Sequence, residues 1–568
     1  MKVNKLFILS LILISLFTSC TGDWLDTTKE GTPTENNFWR TDNDYIKACN
    51  SLYYIFGLEE TYGRDLFWEQ GASDDIFYSR SRGSGEMALA NMTYDGQTES
   101  RLDRIYSEFY TTMSIANNII YHALKIPESN RSNIVKRSLG EAYFMRAFSH
   151  FMIAYRYGRQ DNGVPFVRYE DFTNYDKQIN EIPTQQATVM DDYRLIIEDL
   201  QHAANNLPWF KDYSTDNYGR ATKDATYAYM VKTYAYWAQW DKTQWSNIPT
   251  LVDTIEKEGQ RGLLDNYVDV FKIANNWSKE YIWSVNSSGE DYAGSEFPAI
   301  VLENKGWGIY NGWGNFKPTL ELFAEYNDQD SRRSATILKY GDKFNFFGSI
   351  RRYYSSSDNE CGFQFNKYMD AFANGTIDSE TGSGSSDNVS GNGDRPTTSL
   401  NLPLCRFAEM LLFKAEALIM QGKNTEAATP LNRIAERAKE GITYTHPTMF
   451  DLMHERRCEL AGEWTDRRFD LIRWSGSGTD DWNIDALKKI RTAKHGFKYI
   501  NRSDPDSKLD TINGSLMTIN GKIYRGVIGL TNMNTPKNYE ANGTTSVFPY
   551  RINTVIQSNG KLKQNSGY

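Results

Sequence analysis

The sequence predicts a mainly α-helical protein, with a helical scaffold at about residues 36–241 and 400–475 interrupted by a large loop-rich insert at about 242–400. Three observations predict it. Apolar residues recur at helical spacing through long segments on both sides of the insert. Within the insert Gly, Asn, Ser and aromatic residues rise and the helical period fades. The 568 residues are 40% hydrophobic and 24% charged, a globular balance far from the composition of disordered chains.

The chain begins MKVNK, continues with an apolar run from Leu6 to Phe17 and then reads Thr18-Ser19-Cys20. A basic start, a short apolar stretch and small residues make a secretory signal. As a helix the run reaches only ~18 Å, short of the roughly 30 Å hydrocarbon core, so it is read as a signal and not a membrane span. Cys20 directly after small residues resembles a bacterial lipobox rather than an incidental cysteine. That implies removal of residues 1–19 and lipidation of Cys20, with several acyl chains giving stable anchoring where one is marginal.

Ile105, Phe109, Met113, Ile115, Ile119, Ile120 and Leu124 mark a helix over about 101–125. A second, over about 134–157, is apolar or aromatic on nearly every face between Ala142 and Tyr155, as suits a helix surrounded by protein, and Gly158 ends it. A third is expected over about 184–207, opened by Pro183 and closed by Leu207-Pro208, and a fourth over about 223–239. Beyond the insert, 405–421 and 426–439 form a helical pair around Gly422, followed by a helix over about 448–460. These paired helices resemble tetratricopeptide units without a clean 34-residue period. Residues 382–393 (GSGSSDNVSGNG) read as a surface loop, in which Asp387, Asn388, Asn392 and the nearby Asp394 lack calcium-loop spacing. Residues 500–568 are polar and loop-rich.

A formal charge of -9 gives no basic footprint for a polyanion, so nucleic acid is not a predicted partner. The six histidines show no HExxH or HxH spacing, and neither a metal site nor a cofactor is expected. Cysteines 49, 361, 405 and 458 form no close-spaced framework; Cys405 and Cys458 fall in apolar helical patterns and are read as buried free thiols.

Four stretches, in order, resemble the SusD/RagB family of outer-membrane nutrient-uptake lipoproteins. They are GEAYFMRAFSHFMIAYRYGRQDNGVPFV (140–167), IPTQQATVMDDYRLIIEDLQHAANNLP (182–208) with GRATKDATYAYMVKTYAYWAQW from Gly219, CRFAEMLLFKAEALIMQG from Cys405 with LNRIAERA at 431–438, and HERRCELAGEWTDRRFDLIRW (454–474). The closing QNSGY resembles the family's QNpGY. The chain departs at Ile105-Tyr106, where the family often has Trp, and at Ala461-Gly462-Glu463, where it has Glu-Gly after Glu-Leu. The resemblance implies a SusD-like, tetratricopeptide-type helical scaffold spanning 20–568. In those blocks Arg146, Arg406, Arg456 and Arg457 sit in apolar patterns with Glu141, Glu416, Glu455, Glu459 and Asp470 as natural partners. They are read as buried clamps between helices, not as catalytic acids and bases.

The resemblance implies a non-catalytic, surface-exposed lipoprotein of the outer membrane that captures an oligosaccharide and covers a SusC-like TonB-dependent transporter. Sugars present apolar C–H faces and polar edges, so aromatic platforms beside carboxylate, amide and guanidinium groups are sought. Residues 74–82 (DDIFYSRSR) offer Asp75, Phe77, Tyr78 and Arg80; residues 306–316 (GWGIYNGWGNF) offer Trp307, Tyr310, Asn311 and Trp313 among glycines. Two alternatives stay open: a surface glycosidase using paired carboxylates such as Glu69 and Asp75, and a peptide-binding member, as the RagB branch implies.

Overall fold

The computed structural model describes residues 38–78, 84–96, 100–287, 296–298, 314–339, 342–353, 362–373, 376–377, 384–385, 397–492, 494–496, 516–519, 521–525, 531–532, 539–541 and 543–568. Its main helices are α1 (Asp42–Leu52), α2 (Ser100–Leu124), α3 (Asn133–Tyr157), α4 (Val189–Asn206), α5 (Lys223–Trp237), α6 (Ile248–Lys257), α7 (Phe407–Met420), α8 (Asn424–Ala438), α9 (Met449–Leu460), α10 (Arg467–Gly476) and α11 (Asp481–Arg491). Successive helices pack on one another from α2 to α6, α7 packs on α6, α8 and α9, and one contiguous core runs through them. Stacking successive helices in this way lets each bury the apolar face it cannot cover alone.

α3 lies at the centre, packed by α1, α2 and α4, which is why its sequence is apolar on nearly every face. Ser132 caps its first turn by accepting a hydrogen bond from Val135 N–H at 3.1 Å. Gly158 ends it where a Cβ would lie 2.6 Å from both the Ala154 carbonyl oxygen and a Val189 methyl.

Three sequence expectations need correction. The third helix starts at Val189 and not near 184, because Thr188 and Asp191 form a capping box, while Gln185 pairs with Pro165 in extended backbone. We expect Thr188→Ala to cost about 1 kcal/mol, read as a lower urea midpoint with an unchanged slope. Cys405 is buried and free, as expected, but in a strand rather than a helix. Cys361 lies outside the described residues. Lastly, α6 falls inside the segment read as insert, yet it buries Ile248, Val252 and Ile255 and packs on α5 and α7 as part of the scaffold.

The strands are short: β1 (Ile76–Tyr78), β2 (Tyr281–Val285), β3 (Phe316–Pro318) and β4 (Leu402–Arg406) matter here. β1 pairs antiparallel with β3, and β2 with β4.

The arginines are clamps; Glu459 and Asp470 are among their partners, as expected, and Asp199, Glu170, Glu409, Glu463 and Glu280 are further ones. Arg146 joins α3 to Asp199 of α4 at 2.8 Å and to Glu170 at 2.7 Å, whereas Glu141 pairs with Arg137 and Arg220. Arg456 holds Asp470 at 2.6 Å and Glu409 at 3.1 Å. Arg406 meets Glu459, Glu463 and Glu280 at 2.6, 2.7 and 2.9 Å. Each guanidinium offers a planar fork of donors that ties carboxylates from different elements together.

Candidate functional site

Asp75, Phe77 and Tyr78 are buried, and each is engaged by the fold. The β1–β3 ladder sets Ile76 opposite Pro318, Phe77 opposite Lys317 and Tyr78 opposite Phe316. Tyr78 therefore ends its strand directly across from the residue that begins β3. Residues 79–83 follow Tyr78, and residues 299–313 precede β3. The two segments singled out by their sugar-like chemistry, 74–82 and 306–316, are thus tied together by one ladder, with Tyr78 of the first opposite Phe316 of the second.

Aromatic packing supports that end. Trp68 lies with its ring 4.5 Å from Phe316 and 4.8 Å from Tyr78, and Phe67 packs on Phe316, Phe297 and Trp464 at 4.9–5.0 Å. The Tyr78 hydroxyl donates to the Trp68 carbonyl oxygen. Gly71 lets the Tyr78 ring approach, since a Cβ there would lie 2.3 Å from it.

Charge pins the other end. Arg457 donates from Nε to Asp75 Oδ1 at 2.7 Å, from Nη1 to Glu325 at 2.8 Å and from Nη2 to the Asp74 carbonyl oxygen at 2.9 Å. Arg467 holds the Asp74 carboxylate at 2.9 Å. Thr319 closes the corner, its N–H donating to the Asp75 carbonyl oxygen at 2.9 Å and its hydroxyl to that of Asp74 at 2.8 Å. Burial opposes charge on Asp74, but Arg457 and Arg467 outweigh it and hold its carboxyl well below the usual range. Burial and the neighbouring Asp74 charge push the Asp75 carboxyl up, against Arg457.

Asp75, Phe77 and Tyr78, expected from the sequence as ligand contacts, are thus buried and held by other parts of the fold, and they build the ladder. Burial also removes the carboxylate pair of the glycosidase alternative from solvent. Glu69 is 1% exposed and receives Arg156 Nε at 3.0 Å, and Asp75 is held by Arg457. Arg80, Trp307, Tyr310, Asn311 and Trp313 lie outside the described residues, as do Cys20 and the loop with Asp387, Asn388, Asn392 and Asp394. Sequence reasoning missed Thr319, Glu325 and Arg467; nothing local marks them, because their partners are remote in the chain.

Among the described residues Glu440, His454 and Glu455 bring metal-ligand atoms within 4.8 Å of one another. Both His454 ring nitrogens, however, face carboxylates, Glu325 at 2.8 Å and Glu440 at 2.7 Å. Carboxylates only accept, so the ring must donate at both positions as an imidazolium. Glu455 is engaged by Arg332 at 2.8 Å and by the Tyr444 hydroxyl at 2.9 Å. The cluster is another clamp.

The SusD family model matches residues 279–568, just over half of the chain. The chain belongs to the SusD family. A second family model, described as starch-binding associating with outer membrane, matches residues 48–235. A SusD-like protein from Bacteroides ovatus is 23% identical over 487 residues, 83% of this chain and 82% of that protein. SusD-like protein P38 from Formosa agariphila is 26% identical over 527 residues, 83% of this chain and 92% of that protein. Among solved structures, a SusD-like protein from Bacteroides fragilis superposes with a TM-score of 0.71 at 19% identity, covering 94% of this chain and 99% of that one. Surface glycan-binding protein A from Bacteroides fluxus gives 0.66 at 21% identity, covering 93% of this chain and 100% of that one. These likenesses show that this SusD family chain has the mainly α fold of SusD-like proteins. No helix among the described residues is long and apolar enough to cross a membrane.

Proposed function

We propose that this SusD family chain is a non-catalytic protein of the outer-membrane surface, anchored through lipidated Cys20, that binds an oligosaccharide and passes it to a SusC-like TonB-dependent transporter. The observation that carries the reading is the antiparallel pairing of Ile76–Tyr78 with Phe316–Pro318, which joins the two stretches of the chain that carry sugar-like chemistry. Arg80 follows Tyr78 by two residues and Trp313 precedes Phe316 by three, so covalent reach keeps them within about 7 and 11 Å of that pairing. Trp307, Tyr310 and Trp313 would supply faces for pyranose rings, and Asn311 and Arg80 would bond the hydroxyls. Similar proteins named for surface glycan binding and for laminarin binding support a saccharide ligand.

Isothermal titration of the mature chain with a panel of soluble oligosaccharides tests this. One glycan should bind without release of reducing ends, and Trp307→Ala and Trp313→Ala should each weaken it about tenfold. Unaltered affinity in both variants removes the site assignment, and binding only of peptides replaces the ligand class.

A further inference from the structure

A cavity lies in the scaffold, built from residues the ladder does not use. It occupies about 270 Å³ between the C-terminal ends of α3 and α5, the buried face of α10, and residues 546–547. Tyr155, Tyr193, Tyr236, Trp240 and Phe469 line it. The Tyr155 ring stands 4.7 Å from Phe469 and 4.8 Å from Tyr236, giving continuous aromatic walls.

The polar groups of this cavity fall into two kinds. The Tyr155 hydroxyl donates to Asp466, and Arg473 is neutralised by Glu416 and Asp470. By contrast, Tyr193 and Tyr236 are 2% and 5% exposed, line the cavity, and have no hydrogen-bond partner for their hydroxyls among the described residues. The indole N–H of half-buried Trp240 likewise has none. The polar atoms of these three groups are not enclosed by protein but open onto the cavity, so a ligand that fills it can supply the hydrogen-bond partners that the fold does not.

We propose that this cavity is a second saccharide subsite, taking one neutral sugar ring. Ring C–H faces would stack on the aromatic walls while ring hydroxyls bond Tyr193, Tyr236 and Trp240. An apolar side chain of a partner would leave those three groups dry. An anion finds little charge: Arg473 is neutralised, and Arg159 at the cavity has Asp161 3.6 Å away. The volume lies just under the roughly 300–1,000 Å³ typical of pockets for larger ligands, which matches one ring and not a chain. The subsite shares no residue with the ladder or its segments and does not depend on the proposal for them.

The test uses the full chain carrying Trp307→Ala and Trp313→Ala, so that the loop segment is silent. Methyl glucoside, galactoside, mannoside and xyloside are added singly and read by saturation-transfer NMR. At least one should register, and Tyr236→Phe and Tyr193→Phe, which remove only a hydroxyl, should each weaken it about fivefold at an unchanged melting temperature. Trp240→Ala should abolish it. The proposal is overturned if none of the four glycosides registers, or if binding is the same in both phenylalanine variants.

Discussion

Replacing Arg406 by methionine is expected to leave no stably folded protein. Its guanidinium is 0% exposed and serves three carboxylates from three places in the chain: Glu280 before β2, Glu459 of α9 and Glu463 in the turn that follows. Glu463 is bound twice, by Nε at 2.7 Å and Nη2 at 2.9 Å, and Nη2 also reaches the Glu459 carbonyl oxygen at 2.8 Å. Breaking one buried pair by removing a partner costs about 3–5 kcal/mol, because the remaining charge is stranded. Arg406 would strand parts of three, against a total stability of about 5–15 kcal/mol. Arg437 and Lys367 stay nearby, on Glu280 and Glu463 at 2.7 Å, and soften the loss without replacing the fork. Arg406→Lys should therefore fold but melt at least 10 °C lower, since one ammonium cannot reproduce the bidentate bond to Glu463. Circular dichroism melts of both variants check this. A methionine variant melting within 3 °C of the parent would show that Arg437 and Lys367 alone balance the cluster.

What was legible in the sequence follows from how local its cause is. α3 was read to within a residue because a helix surrounded by protein carries its burial in every position from Ala142 to Tyr155. The start of α4 was misplaced because Pro183 drew the boundary, although Thr188 and Asp191 already spell a capping box. α6 was hidden by its ten-residue length, even with proline at its first turn. The arginines were recognisable as clamps from polar residues in apolar patterns, yet Arg457 and Asp75 are 382 positions apart and nothing near either names the other. Segment 74–78 is a related case. Aspartates beside aromatic residues have the chemistry of a sugar site, and only the long-range pairing with 316–318 shows that these side chains are engaged inside the fold. The family blocks were legible because four of them occur in order, which demands no knowledge of contacts.

Arg457→Met separates the two roles that Asp75 can have. Among the described residues the Asp75 carboxylate takes a hydrogen bond from a side chain only at Arg457, whereas Asp74 keeps Arg467 and Glu325 keeps His454. The loss therefore concentrates at Asp75 and the corner where β1 meets Thr319. Its carboxyl, already pushed up by burial and by Asp74, would take a proton and limit the damage to about 3 kcal/mol. The ladder should open more often, read as faster amide exchange at Tyr78 and at Thr319, whose N–H donates to the Asp75 carbonyl oxygen. Saccharide affinity should fall at least tenfold, because both proposed binding segments depart from that ladder. Adding Asp75→Asn to Arg457→Met removes the stranded carboxyl and should restore part of both, a coupling that a double-mutant cycle measures directly. If Asp75 instead touched the ligand, Asp75→Asn alone would abolish binding with exchange at Tyr78 and Thr319 unchanged, and the double variant would recover nothing. The buried 2.7 Å pair favours the first outcome: a carboxylate held this way orients the strand that leads to the segment proposed to bind sugar, and would act on a ligand only through that geometry.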